Sequence, residues 1–256
     1  MGPNRRGRTR PSSEDGVDGA LQAALGYARR GWPVLPVRAG GKDPLTRHGV
    51  KDASIDPRTI ARWWRRWPAA NVAVACGLPG PQVLDIDDLE AGAGALAATD
   101  GAPEVATANG RHRYLAGQAR GTLDLGFGEL RGRGSYVVAP PSIHPSGREY
   151  VWLREPRGRL PAVPAVIARA ATTAGRGEQA ALGDLVPHRR RHPHLRDAAV
   201  RLVRAGITDE RRLTAYLELE FRLCCVRSPR PAPGYFHALA RWAARTRIAD
   251  RERRTG

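Results

Sequence analysis

Two aspartates stand at the end of an apolar run, Val83-Leu84-Asp85-Ile86-Asp87. The run is typical of a β-strand, in which alternate side chains share a face, so Asp85 and Asp87 would point the same way. Their Cα atoms would lie about 6.5–7 Å apart at about 3.3 Å per residue. Carboxylates at that spacing can hold two divalent cations about 3.5–4 Å apart, an arrangement used on triphosphates. Alone, the pair also fits a plain strand exit into the polar turn at 88–90.

Further polar groups follow the aspartate pair along the chain. His112 lies in Thr107–Tyr114, whose pattern predicts a turn followed by a strand. Glu129 stands just before a glycine-rich turn at 131–134, and a strand with a proline turn comes next, at 135–147. This order of an acidic strand, a histidine, a third carboxylate and a glycine-rich turn is far more specific than any one of these features alone.

The order of these motifs resembles that of the archaeo-eukaryotic primase superfamily. Within it, the chain is most similar to the bifunctional primase–polymerase (Prim-Pol) domain of bacterial replication modules and mobile elements. The resemblance covers roughly residues 20–153 and includes four upstream segments, Ala24–Pro36, Gly41–Pro44, Trp63-Trp64 and Asn71–Val74. It implies an α+β fold with an RRM-like, largely antiparallel catalytic sheet, an additional N-terminal αβ unit and a small all-α C-terminal domain.

The resemblance implies that three carboxylates, Asp85, Asp87 and Glu129, are the catalytic residues and hold two Mg²⁺ or Mn²⁺ ions. In the family the third carboxylate follows an apolar residue, whereas here it follows Gly128. Asp124 competes with Glu129 for this role, but only Glu129 adjoins the glycine-rich turn. We expect mutual repulsion to raise the pKa values of the three carboxylates until metal binds.

The resemblance also places His112 on the phosphates of the incoming nucleotide, with a buried structural histidine as the alternative. Lys42, one of only two lysines in the chain, could bind a phosphate as a compact charge or be a solvated loop residue. Arg131 would share a strand face with Glu129, where it could bind a phosphate or pair with that carboxylate. Ser142 and His144, beyond the paired prolines, are predicted to border the nucleotide site.

The charge balance predicts a polyanionic partner. The chain has 42 Lys and Arg against 25 Asp and Glu, a formal net charge of +17. Both parts carry the excess, with 23 basic against 16 acidic residues in 1–160 and 19 against 9 in 161–256. Nucleic acid is the simplest partner for such a surface.

Composition and hydrophobic patterning together predict four segments: a disordered basic tail at 1–18, the catalytic domain at 19–165, a linker at 166–184 and a helical domain at 185–250. The helical part resembles the small domain that follows the catalytic domain in many primases of this group. The predicted helices are Gly19–Arg30, Asp56–Trp67, Ala91–Ala98, Leu195–Ala205, Asp209–Leu223 and Gly234–Ile248. The predicted strands lie in Trp32–Val37, Asn71–Cys76, Gln82–Asp87, Val105–Leu115, Phe127–Ala139 and Tyr150–Leu153.

A cluster of histidines and cysteines in the helical part raises the question of zinc. It consists of His188, His192, His194, Cys224 and Cys225. Its spacing is not that of a standard finger, and three intervening arginines would repel a cation. Zinc is therefore not expected, although the residue types leave the question open.

The resemblance, supported by the basic charge, implies a template-directed primase and DNA polymerase that works on single-stranded DNA template and primer with nucleoside triphosphates, in the replication of a mobile element or plasmid. The alternatives are a non-catalytic DNA-binding replication-initiation module and a metal-dependent nuclease. No GxxxxGK[ST] pattern occurs, so we expect a separate helicase partner. With no long apolar or signal-like segment, we expect a cytoplasmic, nucleoid-associated protein without a membrane partner.

Overall fold

The computed structural model describes residues 13–168, 191–225 and 230–255, with side chains described for 19–168, 191–225 and 230–245. The helices are α1 (Ser13–Arg29), α2 (Pro57–Arg66), α3 (Ala93–Ala98), α4 (Arg191–Arg204), α5 (Glu210–Cys224) and α6 (Tyr235–Thr255). The strands are β1 (Val34–Val37), β2 (Asn71–Ala75), β3 (Gln82–Ile86), β4 (Glu104–Ala106), β5 (Arg111–Leu115), β6 (Thr122–Asp124), β7 (Gly128–Arg131), β8 (Tyr136–Ala139) and β9 (Val151–Arg154).

The strands form two antiparallel sheets. One has three strands in the order β1-β2-β8, and the other has six in the order β6-β7-β3-β5-β4-β9. Strands and helices do not alternate as they do in a parallel α/β protein. The predicted α+β class with an antiparallel sheet is confirmed, while the RRM-like assignment stays a prediction.

The first hydrophobic cluster joins the three-stranded sheet to α1 and α2. Helix α2 begins as the sequence predicts, because the Asp56 carboxylate accepts hydrogen bonds from the backbone N–H groups of Arg58 and Thr59 and Pro57 fills the first helical position. Trp64 on α2 and Trp32 before β1 are buried in this cluster. The cluster also contains Val83, Val105 and Tyr114 from one face of the larger sheet.

The opposite face of the larger sheet belongs to a second cluster. Leu84 and Ile86 of β3 lie in it together with α3 and with apolar side chains of α4, α5 and α6. Tyr216 of α5 adds a polar tie, since its hydroxyl donates to the Ala98 carbonyl at 2.9 Å. The C-terminal helices thus pack directly against α3 and the sheet, so they share a hydrophobic cluster with the part that carries the acids.

The bounds of one helix and one strand differ from the prediction. Helix α1 begins at Ser13 rather than Gly19, and residues 1–12 of the predicted tail lie outside the described residues. Strand β3 ends at Ile86, so Asp87 lies one residue beyond it. Most of the predicted linker at 166–184 also lies outside the described residues, but Val166 and Ile167 are buried in the second cluster. The division into two domains stays a prediction.

Candidate active site

Four polar residues form a row across adjacent strands of the larger sheet. The strand register pairs Asp124 with Glu129, Glu129 with Asp85, and Asp85 with His112. Directly opposed residues of antiparallel strands project from the same face of the sheet. The row therefore faces the three-stranded sheet, away from the cluster that contains Leu84 and Ile86.

A glycine allows Glu129 to lie beside Asp85. Gly128 has a φ of +153°, and a Cβ at this position would collide with the Asp85 carbonyl oxygen. The departure from the family pattern at this position thus has a local reason, since any side chain would push β7 away from β3. Gly110, before β5, is held in the same way, because a Cβ there would meet the Ile86 carbonyl oxygen.

Arg131 connects the two carboxylates at the centre of the row. Its Nε donates to Oδ2 of Asp85 at 3.1 Å, and its Nη2 lies 2.6 Å from Oε2 of Glu129. On the other side of Asp85, Nε2 of His112 lies 3.3 Å from Oδ1. Asp85 is therefore held between two nitrogen donors, one from each neighbouring strand.

The expectation that repulsion would raise the carboxylate pKa values is wrong for Asp85. Burial opposes the ionisation of this carboxyl, but the hydrogen bond from His112 and the positive charge of Arg131 outweigh it and hold its pKa below the usual value. The Arg131 guanidinium and the His112 ring nitrogen, supplied by the neighbouring strands, stabilise the Asp85 carboxylate.

A pocket of about 310 Å³ opens above Asp85, between the two sheets. Asp85, His112 and Arg131 line it from the larger sheet, and Lys42 lines it from the loop after β1. The Tyr136 hydroxyl donates to the Lys42 carbonyl at 3.0 Å, which ties this loop to β8. The pocket thus joins one partly buried carboxylate to three nitrogen-bearing side chains.

Ser142 is buried outside the pocket, whereas His144 lies at its border. Ser142 is 2% exposed, and its hydroxyl accepts from the Val72 N–H at 2.9 Å and lies 3.2 Å from the Val72 carbonyl, so it ties the proline turn to β2. It is not among the described lining residues of the pocket. His144 lies at the border, with its ring centroid 6.0 Å from that of Tyr150, and burial, Lys42 and Arg148 lower its pKa.

Two tyrosines that line the pocket were not predicted as site residues. Tyr136 begins β8, and Tyr150 lies just before β9 with its ring centroid 5.9 Å from that of His112. Burial and the nearby Asp85 raise the pKa of Tyr150 to about 12, so its hydroxyl stays protonated. Period-two alternation in β8 could have indicated Tyr136, whereas Tyr150 reaches the pocket from outside a strand.

The donor set suits hard divalent cations. Asp85 and Glu129 offer neighbouring carboxylate oxygens, and Asp87, exposed just past the end of β3, offers another, which are the ligands that Mg²⁺ and Mn²⁺ prefer. In the described part of the chain these three carboxylates do not gather within 4.8 Å. Arg131 lies against two of them, so the residues fit cation binding once its guanidinium moves.

The described residues contain one tighter group of metal-ligating types, in the helical part. His194, Glu220 and Cys224 have ligand atoms within 4.8 Å of one another. Nε2 of His194 lies 2.8 Å from Oε1 of Glu220, and Nη2 of Arg201 lies 3.8 Å from the same oxygen. The positive arginine favours an ion-pair network around the buried Glu220 over a cation site. Sequence reasoning missed Glu220, which is buried on α5 with no motif around it.

Two other members of the predicted histidine and cysteine cluster, His192 and Cys225, lie in the described part of the chain and outside this group. Nδ1 of His192 lies 2.7 Å from the Tyr235 hydroxyl instead. His188 lies outside the described residues. Cys225 is buried at the end of α5, and burial raises the pKa of its thiol to about 11. Among the described members of the cluster, only His194 and Cys224 therefore come together, with Glu220.

The comparisons with known proteins bear on the part that holds the row and the pocket. A search of the curated proteins finds no match. Among the described helices, none is both long and apolar enough to span a bilayer. The family model for the bifunctional DNA primase/polymerase, N-terminal, matches residues 24–166 of the 256. This range is more than half of the chain and contains Lys42, Asp85, His112, Glu129 and Arg131. The chain therefore belongs to the bifunctional DNA primase/polymerase family, whose members are nucleotidyltransferase-type enzymes acting on DNA and nucleotides.

Proposed function

We propose that this chain synthesises and extends primers on single-stranded DNA from nucleoside triphosphates. The observation that carries the proposal is the row in which Asp85 stands between Glu129 and His112 and faces a pocket that Arg131 and Lys42 also line. Nucleotidyl transfer needs a site that activates a hydroxyl and neutralises the charge of a triphosphate. Carboxylates that can hold metal, placed beside cationic side chains, meet both needs.

Asp85, Glu129 and Asp87 would hold Mg²⁺ or Mn²⁺ in this proposal. Two such ions would lower the pKa of the attacking 3′-hydroxyl. They would also neutralise charge on the triphosphate and the departing pyrophosphate. Asp85 is the central ligand because it is fixed on a strand and held on both sides. Asp87 follows the strand and is exposed to solvent.

The nitrogen-bearing side chains would bind the triphosphate and keep Asp85 in place. Arg131 can present a planar guanidinium to two phosphate oxygens at once, whereas Lys42 contributes a point charge from the loop. His112 donates from Nε2 towards Asp85, so it fixes the orientation of that carboxylate within reach of the pocket. His144, at the border beside Tyr150, completes the proposed nucleotide-binding set. Ser142 supports this set indirectly, because its hydroxyl holds the proline turn against β2.

The wider context is part of the same proposal. The basic excess of the chain would hold the template and primer through their phosphates. A helicase acting as a separate partner, association with the nucleoid and replication of a mobile element or plasmid belong to the proposal as well.

The test uses the full chain with unprimed circular single-stranded DNA, Mn²⁺ and labelled ATP or dATP. We expect labelled products that require template and disappear on chelation, and Asp87→Ala should produce much less of them. A metal-dependent nuclease would shorten end-labelled DNA without triphosphates. A binding module would give neither product. Either of these results would overturn the proposal.

A further inference from the structure

The outer face of α6 carries a tryptophan among arginines. Trp242 is 36% exposed and is the only aromatic side chain among the large hydrophobic residues that are exposed in the described part of the chain. The inner face of the same helix is buried, with Leu239, Ala240, Ala243 and Ala244 in the second cluster. A surface helix normally turns its large apolar side chains inward, whereas Trp242 keeps part of an aromatic face at the surface.

A groove of about 570 Å³ runs along this outer face. Its described lining is Gly234, His237, Ala238, Arg241, Trp242 and Arg245, and we call it the α6 groove. These residues recur at intervals of three and four, so they follow one stripe of the helix. The guanidinium of Arg196, on α4, lies over the Trp242 ring at 5.0 Å from its centroid.

The charge around the groove is mainly positive. Arg196, Arg241 and Arg245 are exposed, and Glu210 is the acidic residue paired at the rim. Its Oε2 lies 3.7 Å from Nε of Arg241 and 3.8 Å from Nε2 of His237. Among the described residues, this pairing sets one carboxylate against three guanidinium groups, so an anionic ligand is favoured.

We propose that the α6 groove binds single-stranded DNA, with an unpaired base stacked against Trp242 and backbone phosphates at Arg241 and Arg245. The inference deepens the proposed function, on which it rests for the single-stranded template. An indole beside a guanidinium offers a flat, polarisable surface that accepts any base. A duplex hides its base faces in the stack, so the same groove discriminates against double-stranded DNA.

Binding is measured with the full chain, without metal or nucleotide, using a fluorescently labelled single-stranded oligothymidylate and anisotropy. Trp242→Ala should raise Kd about tenfold, because one base–aromatic stack is lost. Trp242→Phe should keep most of the affinity, since it retains an aromatic face. An unlabelled duplex of the same length should compete poorly.

The arginines are tested through the salt dependence of the same binding. The double variant Arg241→Gln/Arg245→Gln should flatten the slope of log K against log salt by about 1.4, at about 0.7 for each phosphate contact. The matched control is Arg157→Gln/Arg159→Gln, which removes the same charge from an exposed loop before the gap at 169–190 and should change the slope less.

Three results would overturn the inference: an unchanged Kd in Trp242→Ala, equal competition by duplex, or an equal slope change in both double variants. The assay contains no metal or triphosphate, so its outcome does not depend on catalysis. A protein that fails to incorporate nucleotide but binds through the α6 groove would refute the proposed function and leave this inference standing.

Discussion

The two faces of β3 differ in chemistry and in what they contact. On one face, Leu84 and Ile86 are fully buried against the helical cluster. On the other, Asp85 turns into the pocket, between Arg131 and His112. Because side chains alternate along a strand, a register slip by one residue would exchange these faces. One five-residue strand thus joins the part that stabilises the fold to the part that carries charge.

The partly buried Asp85 carboxylate is tolerated close to an apolar core because of its partners. The strands on either side of β3 bring cationic or hydrogen-bonding groups to Asp85, so the charge is compensated by side chains of the two adjacent strands. The apolar face needs no such partners and draws its stability from dry packing. Substitutions on the two faces should therefore separate stability from activity.

The largest effect on stability is expected from the apolar face. Leu84→Ala should lower the free energy of unfolding by about 2–5 kcal/mol, since it leaves a cavity between the sheet and the helices. Urea denaturation measures the loss, and Asp85→Asn, one residue away, serves as the control with a cost of about 1 kcal/mol. Equal losses in the two variants would break the distinction between the faces.

The next effect concerns the close approach of β7 to β3. Gly128→Ala should cost about 1–3 kcal/mol and reduce nucleotide incorporation, because its methyl group would push Glu129 away from Asp85. Gly126→Ala is the control: its φ is +75°, but an added Cβ would meet nothing within 4 Å. It should cost about 1 kcal/mol and keep activity. A fully active Gly128→Ala protein would show that the strand spacing does not matter for catalysis.

Arg131 should compete with metal for the carboxylates. In Arg131→Gln the internal cation is gone, so Mn²⁺ should bind about fivefold more tightly, while the metal-free protein should melt at a lower temperature. Arg131→Lys keeps the charge and should lie between the two. Titration calorimetry and thermal melting measure these changes. Unchanged or weaker Mn²⁺ binding in Arg131→Gln would contradict the competition.

The smallest effect is expected at the edge of the pocket nearest β5. His112→Ala should raise the KM for triphosphate and reduce kcat/KM about fivefold, because one hydrogen bond to Asp85 is lost. His112→Asn can still donate and should recover part of the loss. Steady-state kinetics measure both. Unaltered nucleotide kinetics together with a lower melting temperature would support the buried structural histidine instead.

The sequence predicted which strands carry the site residues better than it predicted the contacts between those strands. The alternation around Asp85 and the motif order placed Asp85, His112 and Glu129 on strands, and these strands are neighbours in the sheet. The end of β3 at Ile86 was missed, because the apolar pattern runs on to Asp87 without a breaking residue. The need for Gly128 was also missed, since it depends on the distance between two backbones that the sequence does not encode locally.

The packing between segments distant in sequence was not predicted either. The periodicity of α4, α5 and α6 predicts an apolar stripe on each helix, but not what covers it. The structure covers these stripes with one another, with α3 and with the sheet, so removing the helices would expose the back of β3. Point substitutions therefore test the helical part more cleanly than truncation does.

The most direct test compares two aspartates of the same row. Asp85 lies in the pocket between Arg131 and His112, whereas Asp124 lies at the edge of the row, where its Oδ1 accepts from the Gly126 N–H at 2.8 Å. Each is replaced by asparagine, and template-dependent incorporation of labelled nucleotide is measured with Mn²⁺. We predict that Asp85→Asn abolishes incorporation and that Asp124→Asn retains it. Incorporation by Asp85→Asn at the level of the unaltered protein would contradict the assignment of this row as the active site.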